Sequence, residues 1–585
     1  MDYFSGRIFS VTKIIWLIIF LMIMNTVKSS TPEDPIKCSS SSSSSSSGVL
    51  KKKSNCTITN FIGAFPDRTT CRAAEAFYPT TEAELVSTVA YATLAKKKVK
   101  VVTRHSHSLT KLVCPDGDEG LVISTKYLDR VLNVNASAMT MTVESGMMLR
   151  QLIEEAAKAN MALPSSPYWW GLTVGGMLGT GAPGSSLWGL GSQVHDYVIQ
   201  LRIVSPAGPG EGYAKVRTLE NGNPELDAAK VSLGVLGVIS QVTLKLQPLF
   251  KRSVTYVTKS DSDIGDQAVR FGREHEFGDI TWYPSQKQVI YRIDNRVDSS
   301  NTSGNGLYDF LGYRSLPSLV LLTIRTNEET REALEDINGK CIDGRLISTT
   351  FRTAAYGLTN DGILFTGYPV VGYQNRIQAL GTCLDSPEDL RITTCPWDPR
   401  VKGIFYQVTT FSVALSQVKS FIADIQKLVT LEPKSLCGLD LYSGIFMRYV
   451  TTSSAFLGKQ EDSIEFDFTY YRSKDPLQIA MFKYNGLPHW GKNRNVAFIG
   501  AINKFENADK FLKIKQIYDP LGLFSSKWTD QVLGLNKDGL SIMKEGCALE
   551  GLCICSEDVH CAPKKGYFCR PGKVYGKARV CAKQY

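Results

Sequence analysis

Residues 171–184 carry six glycines, Gly171, Gly175, Gly176, Gly179, Gly181 and Gly184, and the glycine-rich character runs on to Gly191. Backbone without β-carbons lets a pyrophosphate come close and leaves N–H groups pointing at an anion, and a neighbouring hydroxyl such as Thr180 adds a hydrogen bond. The spacing Gly176-x-x-Gly179-x-Gly181 reverses the G-x-G-x-x-G order of a doubly wound dinucleotide fold, and no clear strand feeds it. A second turn of the same chemistry, Thr103-Arg104-His105-Ser106-His107-Ser108-Leu109, follows a strand-like run at 99–103. These features predict a large phosphate-bearing cofactor held by the first half of the chain. Far downstream, Pro488-His489-Trp490-Gly491-Lys492-Asn493 sets an imidazole and an ammonium three positions apart in a turn, suited to chemistry on what the first half holds.

A chain of 585 residues exceeds one ordinary core and should divide into at least two domains. Its 66 basic and 56 acidic residues leave a formal charge of +10 that is gathered in no arginine-rich arm or basic helix, which argues against a nucleic-acid partner. Residues 1–30 read as a secretory signal: Arg7 and Lys13 precede an apolar run at 14–24 that is too short to span a membrane. No later segment is long and apolar enough for a membrane helix, so the expected destination is the secretory pathway, ending at the cell wall or in a vacuole. All fourteen cysteines follow the leader, an even number that reads as disulfides in an oxidising compartment. Cys547, Cys553, Cys555, Cys561, Cys569 and Cys581 crowd the end of the chain and predict a small disulfide-stapled tail at 536–585, with a metal knuckle using His560 as its rival. Asn55-Cys56-Thr57, Asn135-Ala136-Ser137 and Asn301-Thr302-Ser303 are glycosylation sequons.

The serine run from Ser39 to Ser47 predicts a linker at 31–55, with order beginning near Cys56. Thr81 and Glu84 predict a capping box ahead of Leu85, Val89 and Ala92 on one helical face. Strand-like runs at 99–103, 121–124, 139–143, 197–204 and 238–246, with a helical run at 148–159, make 56–250 an α+β domain. A second domain, at 251–535, mixes a strand at 404–409 with a helix at 413–428.

The order of strand, turn with His107, Val143-Glu144-Ser145-Gly146, glycine-rich run and Leu233-Gly234-Val235-Leu236-Gly237-Val238-Ile239 resembles the PCMH-type FAD-binding domain of the vanillyl-alcohol oxidase family. The resemblance implies a two-subdomain α+β fold followed by an α+β substrate (cap) domain. It implies FAD bound by Arg104, His105, Ser106, His107, Ser108, Gly175, Gly176, Gly179, Thr180, Gly181, Gly184, Val238 and Ile239. Counting back from Cys114-Pro115-Asp116-Gly117, His107 falls where the sugar-lactone oxidases of that family attach the flavin 8α-methyl group. A histidyl-FAD bond is thus implied, although Arg104-His105-Ser106 replaces the usual glycine-rich context.

In the second domain the 487–493 turn resembles the H-W-G-K motif of aldonolactone oxidoreductases, and Asp519-Pro520-Leu521-Gly522-Leu523-Phe524 resembles their closing D-P-x-G-x-F turn. Gly444-Ile445-Phe446-Met447-Arg448-Tyr449-Val450 resembles their E-x-R strand at the arginine. The resemblance implies that Arg448 holds lactone oxygens with its fork of donors, while His489 and Lys492 meet a substrate hydroxyl and the charge that develops at the flavin. It implies no metal. Phe446 occupies the glutamate position, so another base is required, and His489 is the candidate. With the leader and the cysteine-rich tail, the matches across 56–535 are similar to the plant branch of the L-gulonolactone oxidases. They imply FAD-dependent oxidation of an aldonolactone at C2, with oxygen or another acceptor taking the electrons. The competing readings are an oxidase of another sugar or alditol and a carbohydrate-binding protein without turnover.

Overall fold

The structure is a computed structural model and describes residues 36–41, 52–58, 71–103, 110–298, 303–313, 326–378, 407–434, 436–470, 483–493, 495–536, 538, 540, 553–555, 557–561 and 563–584. The leader, residues 42–47 of the serine run, Arg104, His105, Ser106, His107, Ser108 and Cys547 lie outside the described residues.

Strands β1 (Ile36–Ser41), β2 (Lys52–Ile58), β3 (Cys71–Phe77), β4 (Val99–Val102) and β5 (Leu121–Ser124) form one sheet in the order β1-β2-β3-β5-β4. β3 and β4 run parallel to β5, and helix α1 (Glu82–Leu94) buries Leu85, Val89 and Ala92 against them. Thr81 Oγ1 caps α1 by accepting from Glu84 N at 3.2 Å, but the Glu84 carboxylate reaches past the cap residue to Thr80 N at 2.7 Å. Residues 36–41, within the stretch expected as a linker, form strand β1. An antiparallel ladder to β2 and the Cys38–Cys56 disulfide hold a segment whose serines offer little apolar surface of their own.

The second sheet is antiparallel: β6 (Val131–Asn135), β7 (Thr140–Glu144), β8 (Val198–Pro206), β9 (Ala214–Glu220) and β10 (Val238–Lys245), in the order β9-β8-β10-β7-β6. Helix α2 (Leu149–Lys158) and the short α3 (Val174–Gly179) pack on it through Leu149, Leu152, Val174 and Met177.

The third sheet has eight strands: β11 (Lys251–Ser260), β12 (Asp279–Tyr283), β13 (Gln288–Val297), β14 (Val370–Tyr373), β15 (Gln407–Ala414), β16 (Ile445–Val450), β17 (Ser463–Tyr470) and β18 (Leu487–Pro488). Their order is β14-β11-β13-β12-β16-β17-β15-β18. The two-residue alternation of strands divides the faces. Ile280, Met447, Phe466 and Phe411 share one face, in one core with helices α4 (Ile264–Glu274) and α5 (Leu415–Leu431). The opposite face carries Arg292, Asp279, Arg448, Glu465 and Ser412 in one cross-strand row, and Phe446, Asp467 and Thr410 in the next. So polar a face needs polar surroundings, and it meets the first half of the chain: Ser186 N donates to Tyr449 O at 3.0 Å and Arg448 Nη1 to Pro183 O at 2.8 Å.

Residues 495–536 return to the first unit. Phe511, Tyr518, Trp528 and Val532 join the core of the second sheet, and Leu523 and Phe524 join Phe77, Leu85 and Val99 in the first. Val99 N donates to Leu523 O at 2.8 Å, while Lys98 Nζ and Lys100 Nζ donate to the carbonyls of Gly522 and Phe524 at 2.8 and 2.9 Å. The stretch 251–535, continuous in sequence, is therefore shared between two cores. In the tail, β19 (Cys553–Ile554), β20 (Tyr567–Pro571) and β21 (Arg579–Lys583) make a small sheet stapled by Cys555–Cys569 and Cys561–Cys581. The sulfurs of Cys555, Cys561 and Cys569 lie within 4.8 Å of one another, and all three are committed to these disulfides rather than to a metal. Among the described residues no helix is long and apolar enough to cross a membrane.

Candidate active site

Thr103 and Thr125 directly follow the parallel strands β4 and β5, and Ser145 directly follows β7. These three hydroxyl residues, with Val101, Gly175, Gly176, Gly179, Thr180, Ser232, Gly237 and Ile239, line a cavity of about 820 Å3 counted to its open mouth. The place is the expected one, outside the carboxyl ends of parallel strands. Thr173 caps α3 by accepting from Gly176 N at 3.3 Å, so the glycine run opens a one-and-a-half-turn helix rather than a long one.

Two observations test whether a cofactor fits. A β-carbon on Gly179 would meet nothing within 4 Å among the described residues, so the backbone there faces the cavity. Among the described residues Thr125 Oγ1 and Ser145 Oγ are buried without a hydrogen-bond partner, and both line that cavity. Buried hydroxyls left in that condition call for a polar ligand. A flat, hydrogen-bonding ring with a phosphate-bearing tail suits this donor set.

Of the residues expected to hold the cofactor, Gly175, Gly176, Gly179, Thr180 and Ile239 line the cavity. Val238 does not: alternation along β10 turns it into the core with Phe77, Leu85 and Val204. Gly184 is a packing glycine, since a β-carbon there would fall 2.5 Å from Ser165 Oγ. Gly181 borders a second, small void shared with His489, Trp490 and Lys459. Thr125 and Ser232 carry no signal in the sequence, and Ser145 and Gly237 enter it only through the order of their motifs.

The 487–493 turn sits directly on the glycine run. A β-carbon on Gly491 would lie 3.2 Å from the Thr180 side chain. Trp490 is buried, stacks on Phe505 and Phe498, and donates from Nε1 to Leu457 O at 2.9 Å, which excludes a free surface loop. Asn493 pins the turn to β15: its Oδ1 accepts from Thr410 N at 2.8 Å, its Nδ2 donates to Thr410 O at 3.0 Å, and His489 N donates to the same carbonyl at 3.1 Å. His489 Nδ1 accepts from Gly491 N at 3.0 Å. Burial, then the charges of Lys492, Lys459 and Arg448, push the imidazole well below its usual pKa, so it is neutral at physiological pH. A neutral ring accepting at Nδ1 carries its proton at Nε2. His489 is therefore a hydrogen-bond donor at Nε2, which corrects its expected part as a base.

Arg448 and Lys492 meet beside this turn. Arg448 Nη2 donates to Glu465 Oε2 at 2.8 Å and to Asp467 Oδ2 at 2.7 Å, and Lys492 Nζ donates to Asp467 Oδ1 at 2.8 Å. Lys459 Nζ lies 3.4 Å from Glu465 Oε1. Phe446, in the position where a glutamate is expected, lies between Tyr168, at 5.7 Å between ring centroids, and the Arg448 guanidinium, at 5.8 Å from its own ring. Asp467 and Glu465, on the neighbouring strand, had no signal in the sequence: their spacing is simply that of any strand.

A cavity built for FAD and a cluster of cations on an antiparallel cap sheet, joined through Thr180, define an FAD-linked oxidoreductase of the aldonolactone oxidase class. Residues 73–209 match the FAD binding domain family, 404–532 the D-arabinono-1,4-lactone oxidase family, and 544–583 the L-gulonolactone oxidase 2-like C-terminal domain. The chain is 60% identical to L-gulonolactone oxidase 2 of Arabidopsis thaliana, over 98% of each chain, and 60% identical to probable L-gulonolactone oxidase 6 of the same plant, over 98% of this chain and 96% of that one. The L-gulono-1,4-lactone dehydrogenase of Mycobacterium tuberculosis is 25% identical over 80% of this chain and 98% of its own. Cholesterol oxidase from Brevibacterium sterolicum shares the fold, with a TM-score of 0.63 at 12% identity over 87% of this chain and all of that one. The protein belongs to the L-gulonolactone oxidase family.

Proposed function

We propose that the enzyme oxidises the C2 alcohol of L-gulono-1,4-lactone, or of a close aldonolactone, to the 2-keto lactone, which enolises to L-ascorbate. Electrons pass to oxygen, giving hydrogen peroxide, or to another acceptor. The observation that carries this reading is the meeting of Arg448, Lys492 and neutral His489 in one buried cluster against Thr180 and Pro183. The chemistry FAD supplies when bound is acceptance of a hydride at N5, so negative charge must be accommodated nearby. Arg448, Lys459 and Lys492 outnumber Glu465 and Asp467 in the cluster, which leaves a net positive charge suited to that task. His489 offers Nε2–H to a substrate oxygen, so the hydroxyl proton released with the C2 hydride leaves to solvent along the Lys492 side of the cluster, where the side chain is 25% exposed. Substrate orientation thus rests on fixed donors, with Arg448 and His489 buried and Lys492 at the solvent side.

Anaerobic mixing of the purified enzyme with L-gulono-1,4-lactone is expected to bleach the oxidised flavin band. A panel in which no aldonolactone bleaches it, while an alditol or another sugar does, would move the assignment to that substrate. The histidyl bond at His107 belongs to the same proposal: yellow colour should survive acid precipitation and become extractable in His107→Ala. The leader supports delivery into the secretory pathway, checked by the N-terminus of the mature protein and by glycan on Asn135.

A further inference from the structure

Asp467 touches two of the three cations of the site, Arg448 and Lys492. Its Oδ1 accepts from Lys492 Nζ at 2.8 Å and from Thr410 Oγ1, and its Oδ2 accepts from Arg448 Nη2 at 2.7 Å. Thr410 is the residue whose backbone holds His489 and Asn493, so one strand position ties the carboxylate and the turn together. In the ladder Asp467 is the direct partner of Phe446, and Arg448 of Glu465. Directly opposed residues of an antiparallel pair have β-carbons about 5 Å apart on the same face. The carboxylate missing at 446 is therefore present one strand over, aimed at the same space.

We propose that Asp467 is the positioning carboxylate of this site, clamping Arg448 and Lys492 onto one point beside Thr180 and setting the net charge beside the cofactor cavity. Two cations converging without an anion between them repel, and the Lys492 side chain, 25% exposed, has water to swing into. Burial raises the Asp467 carboxyl, but Arg448, then Lys492, outweigh it and hold the group well below the usual carboxylate range. It stays ionised at any working pH, which fits a clamp and not a proton acceptor. Glu465 is fully buried and engages Arg448 and Lys459, whereas Lys492 pairs with Asp467.

The inference rests on the lactone reading for its kinetic consequence, but its charge consequence is independent of substrate. The test uses the full-length, FAD-loaded enzyme with two readouts: anaerobic bleaching by L-gulono-1,4-lactone, and sulfite affinity followed as loss of the oxidised flavin band without lactone. Asp467→Asn is expected to slow bleaching by about 10²-fold, the scale of a misplaced reacting group. The same change should tighten sulfite binding roughly tenfold, because an anion has been removed beside the ring that sulfite makes negative. Asp467→Glu should keep the wild-type sulfite affinity. Phe446→Glu combined with Asp467→Asn, which returns the charge across the strand pair, should restore that affinity and recover part of the bleaching rate. Unchanged rate and affinity in Asp467→Asn, or weaker sulfite binding there, would overturn the proposal. If Asp467→Asn sheds its flavin, the double variant decides: failure to recover flavin and affinity overturns it equally. Should wild-type enzyme be bleached by no aldonolactone, the substrate reading fails while the sulfite comparison still judges Asp467.

Discussion

At the scale of single residues, the site depends on what each polar atom already touches. Arg448 spends one terminal nitrogen on the Pro183 carbonyl and the other on two carboxylates, geometry that a planar fork fits and an ammonium does not. Arg448→Lys should retain the charge yet lower kcat/KM for the lactone by about 10²–10³-fold, the scale of losing one preorganised donor. Steady-state kinetics beside a thermal melt separate this from instability. His489 makes a different prediction. Because desolvation and three neighbouring cations hold its pKa far below the ordinary value, protonation of this ring begins only at acidic pH. The pH profile of kcat should therefore show no limb from His489 between about 6 and 8, where a free imidazole titrates, and His489→Asn should leave the profile's shape unchanged there while lowering its height.

At the scale of elements, helix α3 makes the sharpest test of the cofactor site. Gly179 closes that helix with its missing side chain directed at the cavity, so Gly179→Leu adds apolar bulk where the cofactor belongs and, among the described residues, presses on no atom at the β-carbon. The variant should fold with an unchanged circular-dichroism spectrum but retain little flavin, read as the ratio of visible to protein absorbance. Elements of this kind were largely legible in the sequence. Alternation placed β5, β8 and β10 to within a residue or two, and the apolar spacing of Leu149, Leu152, Ile153 and Ala156 located α2. Of the strand expected at 404–409, residues 404–406 lie outside the described residues, and the strand observed is Gln407–Ala414, extended at the expense of the start of α5 because Val413 pairs in the ladder with Ile464. What lay beyond reading was partnership. Nothing in Ser463–Tyr470 says that Asp467 faces Arg448 rather than water, since register is a property of two strands and one strand's pattern carries half of it. Val238 and Ile239 likewise look alike in sequence, and only the pleat decides that one faces the cavity and the other the core.

At the scale of the whole molecule, the returning segment 495–536 couples the two halves, and a buried lysine reports on it. Lys100 Nζ donates to the Phe524 carbonyl from a fully buried position, and desolvation pulls its pKa from the ordinary 10.5 down to about 8. In the unfolded chain the group keeps the higher value, so between pH 8 and 10 the unfolded state binds more protons and stability from this group rises with pH. Below pH 8 the folded protein carries the full cost of the buried charge, about 3 kcal/mol from the size of the shift. Lys100→Met should remove that dependence, so that its denaturant midpoint, relative to wild type, falls as pH is raised from 7 to 10. Phe524, fully buried among Phe77, Leu85 and Val99, tests the same coupling without a charge. Phe524→Ala should cost about 3–5 kcal/mol, the range for emptying an aromatic site in a core. If 495–536 belongs to the first unit as packed, that loss appears as earlier release of FAD together with unfolding, followed by flavin fluorescence and circular dichroism in one melt. Flavin release at the wild-type temperature, with only the cap sheet weakened, would instead assign the segment to the second core.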